Sequence, residues 1–160
     1  MSTKYEMYNA EGIYYLTCAT VHWVDIFPPQ RNKGEILTGS LQYCIANKGL
    51  NLYAYIIMSN HIHSIVSADG ANKLSDIIRD FKKFSAREII KYLKDISNTE
   101  SRREWVLEIF SKSAQSSRGD GAYQVWQHDN HYIELYSNAV IEQKLDYIHL
   151  NPVRWLCYSS

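Results

Sequence analysis

The chain has 160 residues, 46% of them apolar and 21% charged, with 17 Lys and Arg balanced by 17 Asp and Glu. These proportions exclude a disordered chain, a collagen-like repeat and a disulfide scaffold, and no apolar run approaches the ~18–20 residues of a membrane span. Zero net charge gives no global hint of nucleic acid, so that partner must be argued from local clustering.

One domain spanning residues 1–160 is the expectation from length, and it is long enough to bury a core without staples. The N-terminal MSTKYEMYNAEG lacks the apolar stretch of a signal peptide, which leaves a cytoplasmic location as the expectation. Cys18, Cys44 and Cys157 are an odd, widely spaced set with no C-x-x-C pair. Reduced thiols fit that pattern and a zinc ribbon does not. Tyrosine occurs 13 times, an abundance that proves nothing about binding by itself.

In chain order, IYYLTCATV (13–21) is β-branched and aromatic and predicts a strand, and Pro28-Pro29 then breaks regular structure. From Gly34 to Ala46, Ile36, Leu37, Leu41, Cys44 and Ile45 fall near helical spacing, and Lys48-Gly49 supplies a stop. LYAYIIM (52–58) and HIHSIV (61–66) flank Ser59-Asn60 and predict a hairpin. After the Asp69-Gly70 turn, Lys73 to Lys94 reads as a helix. Its stripe is Leu74, Ile77, Ile78, Phe81, Phe84, Ile89, Ile90 and Leu93. REWVLEIF (103–110) predicts a short helix and SKSAQSSRGDG (111–121) a loop. YQVWQHDNHYIELY (123–136) predicts one extended or interrupted strand, and Ser137 caps a final helix, NAVIEQKLDYIHL, that halts near Pro152. Strand, helix, strand, strand, helix, strand and an extra helix make an α+β, ferredoxin-like pattern: an antiparallel sheet with helices on one face.

His61-Ile62-His63 is the sharpest local signal. Alternation along a strand puts both imidazoles on one face, where they can converge on a divalent cation. A hydrogen-bonded surface pair is the plainer reading, and two histidines do not fill a coordination shell. Tyr147 and Asn151, four apart in LDYIHLNPVR, share a helical face. The Asn151 amide oxygen suits Mg²⁺ or Mn²⁺, with the Tyr147 hydroxyl beside it. An aromatic at helical spacing is otherwise core, and Asn before Pro is otherwise a helix end. His149 faces elsewhere. Between Arg79 and Lys94 six cations, Arg79, Lys82, Lys83, Arg87, Lys91 and Lys94, outnumber Asp80 and Glu88. A phosphate backbone would favour that helix; a solvated face is the alternative. Trp126, His128 and Tyr132 could stack unpaired bases or belong to the core.

MSNHIHSIV followed downstream by DYIHLNPVR resembles the HUH single-tyrosine transposases, most closely the REP-associated ones, whose helix typically ends in Y-I-x-x-N-P-V. The likeness extends through YYLTCATV, FKKFSAREI and YQVWQHDNHYIELYS, nearly the whole chain. It implies a ferredoxin-like fold whose C-terminal helix carries the tyrosine. His61, His63 and Asn151 would hold Mg²⁺ or Mn²⁺, and Tyr147 would be the nucleophile. Single-stranded, hairpin-forming DNA would be cleaved and rejoined through a 5′-phosphotyrosine, with no nucleotide cofactor and no membrane partner; a homodimer stays open. Two departures stand out: Ser59 where the family often has Pro, and a shortened tail, Trp155-Leu156-Cys157 running straight into Tyr158-Ser159-Ser160. A histidine-triad hydrolase would need a histidine at Ile65. An HUH replication or mobilisation nuclease and a non-catalytic binder of palindromic single-stranded DNA are the remaining alternatives.

Overall fold

In a computed structural model the described residues are 7, 9–26, 31–95, 97, 101–117 and 121–158, the side chains of 31–33 and 151–158 excepted. The sheet is organised by β1 (Tyr14–Ala19), which pairs antiparallel with β3 (His61–Ala68) on one side and β4 (His131–Glu134) on the other. β2 (Leu50–Ile57) pairs antiparallel with β3, giving the order β2-β3-β1-β4. The α+β, ferredoxin-like reading holds. Pro28-Pro29 lies outside the described residues.

Alternation along β1 sorts two cores. Tyr14, Leu16 and Cys18 join Ile62 and Val66 of β3 under α1 (Arg31–Lys48) and α2 (Leu74–Lys94). Leu74, Ile77, Ile78, Phe81, Ile89 and Leu93 are the buried stripe of α2. Each such side chain contributes about 1.5–3 kcal/mol on burial, and Phe81→Ala would cost about 3–5 kcal/mol. The stripe differs from expectation at Phe84, which is exposed and stacks on Tyr43 of α1, ring centroids 5.6 Å apart. Ser85, four residues after Phe81, takes the inward place and accepts a hydrogen bond from Trp126 Nε1 at 3.0 Å. Ile45, expected on the buried face of α1, is exposed as well.

On the opposite face Tyr15, Ile56, Ile65 and Leu135 pack against Ile148 of α4 (Asn138–Tyr158), with Val140, Ile141 and Leu145 partly buried around them. A bulge in β2 makes this possible. Leu52 pairs with Val66 but Ala54 with Ile65, so one extra residue shifts the side-chain parity. Leu50 and Leu52 therefore face α1 and α2, whereas Ala54 and Ile56 face α4. Among the described residues, no helix is long and apolar enough to cross a membrane.

Helix α1 stops where expected: Gly49 adopts φ +80°, a left-handed conformation, and its carbonyl accepts a 2.9 Å bond from Asp69 N. Three boundaries differ. The α3 helix (Arg103–Ser116) runs into the segment read as a loop, because Ser113 and Ala114 continue the stripe of Val106 and Phe110. β4 is short because residues before it turn aside: Trp126 makes only an isolated bridge to Thr20. Ser137 does cap α4, its Oγ accepting from Val140 N at 3.3 Å. The helix then continues through Pro152 to Tyr158; a proline removes one intrahelical donor without obliging the helix to end.

Candidate active site

The hairpin β2–β3 closes on Ser59-Asn60 through a 2.8 Å bond from Met58 N to His61 O. This starts β3 at His61 and sends His61 and His63 to the α4 face. The two rings converge there: Nε2 to Nε2 is 3.1 Å. Each ring is held from behind through Nδ1, His61 by Asn60 Oδ1 at 2.7 Å and His63 by Thr17 Oγ1 at 2.9 Å. The Asn60 amide is itself oriented, its Nδ2 donating to Trp23 O at 3.1 Å, so His61 donates from Nδ1 and turns its Nε2 lone pair toward His63. The Thr17 hydroxyl donates or accepts and so serves either tautomer of His63.

Burial lowers the His63 pKa to about 4, with the charges of His61 and Lys144 adding to the effect, and burial also lowers that of His61. Both shifts favour the neutral imidazole, the form that can ligate a cation. Two nitrogens bound at right angles to one cation, each about 2.1 Å from it, stand about 3 Å apart. The 3.1 Å separation is that of a hydrogen bond between the two rings, the plainer reading, and it also meets this requirement, with the Nδ1 contacts as outer support.

Tyr15 lies nearly parallel to the His63 ring, centroids 5.3 Å apart, and Tyr147 meets the same ring edge-on at 5.5 Å. The two tyrosines differ. Tyr15 is buried, and desolvation, with the Tyr147 phenol second, pushes its hydroxyl well above the usual phenol range. Tyr147 is 46% exposed on α4, open to a substrate. One turn earlier, Lys144 places Nζ 4.6 Å above the Tyr15 ring. Asn151 continues α4 one turn beyond Tyr147, but its side chain lies outside the described residues. Among the described residues no group of three or more His, Cys, Asp or Glu could hold a metal ion, so a metal here would depend on an amide or other neutral donor beside the histidines.

The basic helix sits on the other face of the sheet, with α1. Arg79 pairs with Asp76 at 2.9 Å and Asp80 at 3.3 Å. Lys82 turns inward and donates to Gln127 O at 2.6 Å, its pKa lowered chiefly by burial. Lys83 and Arg87 project into solvent. Of the candidate stacking residues, Trp126 is buried, Tyr132 is half-buried and His128 is exposed. Sequence reasoning missed Thr17, Asn60, Tyr15 and Lys144. Thr17 and Tyr15 depend on the register of β1 with β3 and Lys144 on the phase of α4, whereas Asn60 carried a local signal as the hairpin residue beside His61.

Comparison with solved structures returns the same fold. A REP-associated tyrosine transposase solved bound to a REP hairpin superposes with a TM-score of 0.64 at 15% identity, over 96% of this chain and 74% of that one. A candidate transposase from Deinococcus radiodurans R1 gives a TM-score of 0.53 at 19% identity, over 92% of this chain and 95% of that one. No curated protein sequence matches significantly. The family model for IS200-like transposases matches residues 30–121, more than half the chain, from the start of α1 past the end of α3 and including both histidines. The chain therefore belongs to the IS200-like transposase family.

Proposed function

We propose that the protein is a DNA strand transferase that cleaves and rejoins single-stranded, hairpin-forming DNA through a 5′-phosphotyrosine on Tyr147. The observation that carries this reading is the exposed Tyr147 ring 5.5 Å from His63, above a pair of imidazole nitrogens converging to 3.1 Å. Its similarity in fold to a transposase solved with a REP hairpin supports the DNA partner.

His61, His63 and Asn151 would hold Mg²⁺ or Mn²⁺, which when bound polarises a phosphate oxygen and offsets charge in the transition state. Tyr147 Oη attacks phosphorus and loses its proton to solvent. The bond from phosphorus to the 3′ oxygen breaks, that oxygen takes a proton, and the 5′ phosphate stays on Tyr147. An incoming 3′-hydroxyl reverses the step. One ester replaces another each time, so no nucleotide is consumed. Tyr15 and Thr17 fix the His63 ring from its face and its Nδ1 side, and α4 positions Tyr147 against it. Lys83 and Arg87 would meet phosphates away from the cut; Arg79, one turn earlier on that face, is tied to Asp76 and Asp80, and Lys82 turns inward.

The test is a denaturant-stable protein–DNA species formed with Mn²⁺ and a labelled hairpin, linked through the 5′ side of the cut. Mapping the adduct to another tyrosine overturns the assignment. Binding without any adduct favours the non-catalytic binder.

A further inference from the structure

Between β1 and α1 the chain makes a 3-10 turn, Val21–Trp23, in which two consecutive non-glycine residues take left-handed conformations: φ is 54° at His22 and 53° at Trp23. Such a conformation is costly for a residue with a side chain and persists only where its surroundings over-determine it. They do so here. Trp23 N donates to Thr20 O at 3.1 Å, Thr20 Oγ1 to Val24 O at 2.9 Å, and Asn60 Nδ2 to Trp23 O at 3.1 Å. Ile26 N donates to Ser59 O at 2.9 Å, and Ser59 Oγ to Asp25 at 2.6 Å, which ties the segment to the tip of the histidine hairpin.

The strain has a visible product. Val21, Val24 and Ile26 go into the core, whereas the largest side chain of the segment, Trp23, stays 52% exposed. Its indole stands edge-on to His61, ring centroids 5.6 Å apart. A fold that merely needed to bury apolar area would turn this residue inward. Instead, a rigid aromatic surface is held outward at the rim of the histidine pair.

We infer that Trp23 is a stacking subsite for an unpaired nucleobase of the DNA strand that crosses the histidine pair, next to the phosphate cut there. This rests on the proposed function and adds to it the position of a base relative to the site. Stacking on an aromatic face is sequence-tolerant, because every base has a π surface.

The direct test uses the full chain and a short oligothymidylate in which thymidines are replaced in turn by 5-iododeoxyuridine, irradiated at long wavelength and mapped by mass spectrometry. A cross-link at Trp23 is expected, in the parent and equally in Tyr147→Phe, which forms no adduct. Trp23→Ala should weaken binding of the fluorescein-labelled oligothymidylate about tenfold, the effect of one lost stack, with Trp23→Phe in between. The salt slope should stay unchanged, since no phosphate contact is lost. Cross-links confined to other aromatics such as Trp105 or Tyr136 would overturn the subsite while leaving the strand-transfer reading intact. The cross-link map needs no variant to fold. A parent chain that fails to bind the oligonucleotide overturns the subsite, whereas the strand-transfer reading stands or falls on adduct formation with the hairpin.

Discussion

Tyr147 and His63 stand edge to face, their ring planes at 74°, although they are distant in the sequence. The contact exists because the β2 bulge turns Ala54 and Ile56 under α4, and because Ile148, the residue after Tyr147, is buried between Tyr15 and Ile65. With its neighbour locked in the core, Tyr147 can only project along the flank of the helix, beside the histidines.

This makes Tyr147→Phe the cleanest separation of chemistry from fold. Phenylalanine keeps the edge-on ring contact and deletes only the oxygen. The expected outcome is an unchanged melting temperature, unchanged hairpin affinity and complete loss of covalent adduct on denaturing gels. An adduct that survives in the variant would place the nucleophile elsewhere.

Replacing both His61 and His63 by Ala should abolish Mn²⁺ binding measured by calorimetry. Thr17 offers a subtler probe, because it touches only the rear of His63. Thr17→Val keeps size and β propensity but cannot bond Nδ1. It should weaken Mn²⁺ about 10–100-fold, the usual effect of losing an outer-shell partner. Thr17→Ser should restore most of the affinity. Equal Mn²⁺ affinity in all three proteins would show that the 2.9 Å bond does not orient the ring.

Much of the fold was legible in the sequence because its signals are local. The Ser59-Asn60 link, the Gly49 stop and the Ser137 cap each depend on a few neighbouring residues. The face shared by His61 and His63 follows from strand periodicity alone. What could not be read depends on register. Whether Thr17 faces His63 or a neighbour of it is decided by the pairing of β1 with β3, and a slip of one residue would reverse the faces. Phe84 shows a second limit: helical spacing offers positions 84 and 85 alike, and Trp126, arriving from a distant loop, selects Ser85. The left-handed Trp23 left no sequence signal at all, since no glycine marks it.

Stability should depend on pH through His63. Its pKa is about 4 in the folded chain against an ordinary 6.5, so the unfolded chain binds more protons between those values. Folding stability from this group is therefore fully present above pH 6.5 and is lost as pH falls from 6.5 toward 4. Thermal melts in EDTA should show the midpoint dropping across that window. His63→Gln, which does not titrate, should flatten the drop. A parent and variant with parallel pH profiles would mean that burial of His63 is relieved on protonation.

Lys83 and Arg87, two of the exposed cations of α2, should behave differently from the half-buried Lys82. Lys83→Gln with Arg87→Gln removes solvent-facing charges, so hairpin affinity should fall for every sequence alike. Since log affinity falls with log salt at about −0.7 per single-strand phosphate neutralised, two lost contacts should flatten that slope by about 1.4. Lys82→Met should instead act on the fold. Its ammonium donates to Gln127 O at 2.6 Å, and Gln127 N donates back to Ala19 O at 2.9 Å at the end of β1. Losing a charged donor to a half-buried carbonyl costs about 1–3 kcal/mol, which chemical denaturation would register as a lower midpoint at unchanged slope. A Lys82→Met protein as stable as the parent but with a flattened salt dependence would reverse these roles and make Lys82 the phosphate contact.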